Sequence, residues 1–61
     1  MKTYALTVFS KSGDKLLDEA FTAKSNDEAK EIGQNRLGEE GYREYTHRCV
    51  SPEGELILFH R

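Results

Sequence analysis

The tightest constraint in this chain is a single helix whose two ends are both written into the sequence. Ser25 stands at an N-cap position and Glu28 follows three residues later, the spacing of a capping box. Asp27 and Glu28 also put negative charge at the positive end of the helix dipole. At the far end Gly41 suits the left-handed position that ends a helix. Counting back from it makes Leu37 and Tyr42 the hydrophobic pair that accompanies a Schellman motif. Ala29, Ile32, Gly33, Arg36 and Leu37 share one face at helical spacing, which predicts a helix lying on a sheet. Gly33 costs about 1 kcal/mol of helix propensity relative to Ala, and close approach to a strand would explain its presence.

On both sides of the helix the pattern changes to strands. Residues 3–9 are rich in β-branched and aromatic types, Lys11-Ser12-Gly13-Asp14 is a turn, and residues 15–22 return with Leu16, Leu17 and Phe21. Beyond the helix, residues 43–50 and 55–60 read as strands around Ser51-Pro52-Glu53-Gly54. Pro52 and Gly54 fit a type I turn closed by a glycine bulge. The two hairpins are alike in pattern but not in sequence, and are not read as a repeat. The element order is ββαββ, an α+β fold in one domain covering residues 1–61.

Sheet order is expected from which strands look buried. Leu56-Ile57-Leu58-Phe59 is a continuous apolar run, as in a strand with two neighbours, whereas Tyr45-Thr46-His47-Arg48 is polar enough to blunt a sheet edge. This favours the β-grasp-like order 2-1-4-3, with strands 1 and 4 central and parallel. The alternative is 2-1-3-4, antiparallel throughout.

A chain of 61 residues leaves little room for a deep cleft, because a pocket of a few hundred Å³ would consume most of its core. The expectation is a non-enzymatic protein. No apolar stretch approaches the ~18 residues that span a bilayer, and Met1-Lys2-Thr3-Tyr4 runs directly into a strand pattern without a secretory apolar segment. Cys49 is the lone cysteine, so no internal disulfide forms and a cytoplasmic location is the default. The net charge of −2 is uneven: residues 13–41 carry eight acids and four bases, whereas residues 42–61 balance three arginines with three glutamates. That is not a nucleic-acid footprint.

Side-chain chemistry concentrates in the C-terminal hairpin, where Thr46-His47-Arg48 is expected to pair with Phe59-His60-Arg61. Thr46, His47, Arg48, His60 and Arg61 form the candidate surface site. Arginine forks and histidine donors suit an anion or phosphate, while a solvated edge with cross-strand pairs such as Glu44 with Arg61 is the simpler account. A metal site depends on register. A plain four-residue loop sets Cys49 against Leu56 and Tyr45 against His60, with both histidines and the thiol on one face. A bulge at Gly54 sets Cys49 against Ile57 and sends His60 to the other face. The turn sequence favours the bulge, and the spacing matches no zinc motif, so no metal or other cofactor is expected.

Cys49 beside His47 has no accompanying catalytic motif and reads as a small buried hydrophobe. The acids read as a solvated face, and Gly33 and Gly38 lie inside the helix rather than in a phosphate loop. Phe9, Phe21 and Phe59 cannot all lie beneath one helix together with Leu6, Val8, Leu56 and Leu58, so aromatic surface should remain open.

Three stretches carry a resemblance that extends over nearly the whole chain: Ser12-Gly13-Asp14-Lys15-Leu16-Leu17-Asp18-Glu19, Thr46-His47-Arg48-Cys49, and Ser51-Pro52-Glu53-Gly54 with Leu56-Ile57-Leu58-Phe59-His60. The sequence resembles the YhzD-like family of small proteins of Bacillus and relatives. The resemblance implies a bacterial cytoplasmic protein and transfers no active-site residues. The element order also resembles small β-grasp binding domains, which is a likeness of fold and not of ligand.

The expectation is therefore a protein-interaction module acting through a sheet edge or an uncovered sheet face, with another protein or a second copy as partner. The alternative is weak RNA or anion binding by Arg43, His47, Arg48, His60 and Arg61, against which the acidic balance argues.

Overall fold

The computed structural model describes residues 1–60. Two hairpins and one helix follow in the order β1 (Lys2–Phe9), β2 (Lys15–Ala23), α1 (Asn26–Glu40), β3 (Thr46–Val50) and β4 (Leu56–His60). The helix ends form as their residues dictate. Ser25 Oγ accepts the Glu28 N–H at 3.2 Å. Gly41 adopts φ 74°, its N–H reaches the Gly38 carbonyl at 3.3 Å, and the Tyr42 N–H reaches the Leu37 carbonyl at 2.8 Å. Those two bonds are a Schellman motif, and Leu37 and Tyr42 both pack on the core. Residues 43–45 form the turn that follows, not the start of a strand.

The sheet order is β2-β1-β3-β4, with every pair antiparallel. This is the alternative order, and the β-grasp-like 2-1-4-3 arrangement is corrected by it. The apolar run of β4 misleads because side chains report faces, not edges. Of that run only Leu58 is buried, while Leu56 and Phe59 are exposed. The polar-looking β3 is central, and its alternation is compatible with that place: His47 and Cys49 point under the helix and leave Thr46 and Arg48 outside.

The hairpins are more alike than their sequences suggest. Ser10 N–H reaches the Asp14 carbonyl at 2.8 Å, Gly13 N–H the Ser10 carbonyl at 3.0 Å, and Asp14 N–H Ser10 Oγ at 3.1 Å. Ser51, Gly54 and Glu55 repeat the three bonds at 2.9, 2.9 and 3.0 Å. Gly13 and Gly54 have φ of 92° and 88°, where a side chain would be strained. Each hairpin then has one further bulge, between Val8 and Phe9 and between Cys49 and Val50. The two hairpins therefore superpose with a shift of 41 residues (Ser10 on Ser51, Gly13 on Gly54), and Thr7 pairs directly with Arg48, 41 residues away. A pseudo-two-fold axis normal to the sheet passes between these two.

The core lies between the helix and one face of the sheet. Tyr4, Leu6 and Val8 of β1, Cys49 of β3 and Leu58 of β4 meet Ala29 and Leu37 of the helix. Phe21 joins from β2, its ring stacked on Tyr4 at 5.9 Å. Outside that core Arg36 of the helix pairs with Glu19 of β2. No helix among the described residues is long and apolar enough to cross a membrane.

Candidate functional site

Register decides what the C-terminal hairpin can do. The Gly54 turn forms as expected and sets Val50 against Leu56. The second bulge then shifts the ladder once more, so Cys49 faces Leu58 and His47 faces His60. Neither anticipated register survives: His60 returns to the helix side of the sheet, beside His47, with ring centroids 5.4 Å apart.

The candidate residues accordingly divide between the two faces. His47 is buried under the helix side, and His60 stands exposed next to it at the β4 edge. Thr46 and Arg48 are exposed on the opposite face, Thr46 against Phe9 and Arg48 between Thr7 and Phe59. Arg61, and with it the expected Glu44–Arg61 pair, lies outside the described residues. Arg43 lays its guanidinium over Gly38 at the end of the helix. It borders a concavity of about 300 Å³ lined also by Gln34, Leu37, His47 and Leu58, with Phe59 at its β4 rim.

Electrostatics on the helix side follow from burial. His47 Nδ1 lies 2.9 Å from the Tyr45 carbonyl, which can only accept, so the neutral ring carries its proton there. Burial lowers the His47 pKa from its ordinary value of 6.5, the Tyr45 bond opposes this, and the charge of neighbouring His60 adds to it. Cys49 is fully buried, and burial pushes its thiol up from 9.0. This is the reverse of what activates a nucleophile. No group of three or more His, Cys, Asp or Glu side chains among the described residues could hold a metal.

The opposite face of the sheet is covered by nothing among the described residues. One row across it runs Asp18, Thr7, Arg48, Phe59, and the next runs Ala20, Ala5, Val50, Leu56. Leu56 is 53% exposed and Phe59 52%, the most exposed of the large apolar side chains on the strands, ahead of Leu16 on β2. The aromatic surface expected from the sequence is thus divided: Phe21 goes under the helix, while Phe9 and Phe59 lie on the open face. Asp18, Thr7, Ala5 and Leu56 also belong to this face, which their residue types alone do not reveal. The signal that could have found them is the Ser-x-x-Gly-acid turn at Ser10 and again at Ser51. Two identical turns imply two hairpins in the same register, and the register fixes the faces.

The relatives agree with the resemblance seen in the sequence. The chain is 46% identical over all 61 residues to a protein of Bacillus subtilis (strain 168) described as "Uncharacterized protein YhzD", covering 100% of each. No solved structure matches the chain significantly. The family described as YhzD-like protein matches residues 1–61, and the chain therefore belongs to the YhzD-like protein family.

Proposed function

We propose that this protein is a non-enzymatic, cytoplasmic interaction module that binds its partner through the uncovered face of the sheet. The observation that carries the reading is the apolar row Ala20, Ala5, Val50, Leu56 beside exposed Phe59, on a face that the single helix leaves open. Contiguous apolar surface of this kind on a small domain marks an interaction site. The buried, deactivated thiol of Cys49 supports a binding role over nucleophilic chemistry. The unpaired cysteine suits a reducing compartment. RNA or anion binding by Arg43, His47, Arg48, His60 and Arg61 draws no support from a hairpin that sends His47 and Arg48 to opposite faces.

A photoreactive residue at Phe59, compared with one at exposed Lys30 of the helix, tests the reading in living cells. Adducts are expected from position 59 and not from position 30. If position 59 yields none, the open face is not an interaction surface.

A further inference from the structure

We infer that the partner for the open face is a second copy of this chain, the two sheets packing face to face about a two-fold axis. The inference rests on the interaction reading above and narrows it to one occupant.

Three features make the face complementary to itself. The first is size. In the two rows above, β2 and β1 present Ala20, Ala5 and Thr7, whereas β3 and β4 present Val50, Leu56 and Phe59; in the next row the sizes reverse, with Phe9 on β1 and Thr46 on β3. A two-fold axis running along the strands between β1 and β3 lays the small side chains of each row on the large ones of the same row in the other copy. Ala20 then opposes Leu56 of the partner subunit and Ala5 opposes Val50 of the partner subunit. Sheets that pack about 10 Å apart need large and small side chains to interdigitate in this way.

The second is charge. On these strands the face carries ions at Lys15, Asp18 and Arg48. Within one chain Arg48 lies two strands from Asp18, with Thr7 between them. The same axis brings Arg48 to one strand spacing, about 4.8 Å, from the lateral position of Asp18 of the partner subunit, within reach of a guanidinium. The contact is made twice, as an isologous interface requires. In the monomer Asp18 pairs with exposed Lys15 at 3.2 Å, its one ion partner among the described residues, and such a pair is easily exchanged.

The third is extent. The molecule measures 33 × 21 × 16 Å, and a face spanning the two longer directions is on the scale of a standard interface, about 800 Å² per partner.

Sedimentation equilibrium of the intact chain from micromolar to millimolar concentration tests the inference. A mass twice 7.0 kDa is expected. The double variant Leu56→Lys/Phe59→Lys changes side chains already exposed in the monomer, so it should fold and sediment as a monomer. Arg48→Asp should weaken association at least tenfold, and Asp18→Arg/Arg48→Asp should restore it. A wild-type monomer at millimolar concentration overturns the inference, as does a dimer that the lysine variant leaves intact. An adduct of another mass from position 59, together with a monomer in solution, overturns the second copy while leaving the interaction face standing. An absence of any adduct removes both.

Discussion

Gly33 and Leu58 meet where no methyl group fits: a Cβ on Gly33 would lie 2.7 Å from Leu58 Cδ1. The helix reaches the sheet at this point because its residue has no side chain. Leu58 is 8% exposed and has little freedom to turn away. Gly33→Ala should gain about 1 kcal/mol of helix propensity but lose about 2 kcal/mol to overpacking. The net expectation is a loss of about 1 kcal/mol, or roughly 4–8 °C in melting temperature for a domain of this size. In a Leu58→Ala background the obstruction is gone and the same substitution should stabilise. A double-mutant cycle by urea denaturation checks both signs.

Gly38 gives the opposite expectation. A Cβ there would meet Arg43 Nη2 at 2.8 Å and Nε at 2.9 Å. Those atoms end a flexible side chain on an exposed residue, and it can swing aside at little cost. Gly38→Ala should therefore stabilise by about 0.5–1 kcal/mol, read as a higher urea midpoint with an unchanged m-value. An unchanged or lower midpoint would mean that the Arg43 packing matters.

Tyr4 ties three elements together. Its hydroxyl donates to Asn26 Oδ1 at 2.7 Å, and Asn26 Nδ2 donates to Glu55 Oε2 at 3.2 Å. β1, the start of the helix and the β3–β4 turn are thereby joined. Tyr4→Phe keeps the buried ring and its stacking on Phe21, so its cost should be that of one hydrogen bond, about 1 kcal/mol. Asn26→Ala should couple to it, and additive losses would show that the hydroxyl bond contributes nothing.

The His47 ring should make stability fall in acid. Its pKa is lowered in the folded state, so the unfolded chain binds the proton more readily. The contribution is complete above the ordinary value of 6.5 and is lost as pH falls below it through the folded pKa. Ring chemical shifts followed by NMR should place the His47 midpoint below that ordinary value. His47→Gln should flatten the stability profile through that range, and an unaltered profile would exclude His47 as its source.

The residues that set local structure could be read directly. Ser25, Gly41, Leu37 and Tyr42 formed the helix ends expected of them, because capping is decided within a few residues of chain. Gly54 likewise took the positive φ that its turn requires. The family, too, was legible from whole-chain resemblance. Sheet order was not. β3 and β4 compete for the same edge of β1 through backbone groups that every residue carries, so side-chain polarity placed the wrong strand in the centre.

The candidate site turned on one residue of register. A bulge between Cys49 and Val50, invisible in composition, brought His60 beside His47 and left Arg48 on the far face. The sequence by itself determined the elements, their caps and their turns, since those energies are local. Tertiary structure alone decided which faces the side chains share, because strand pairing joins distant segments through a ladder that a single extra residue resets.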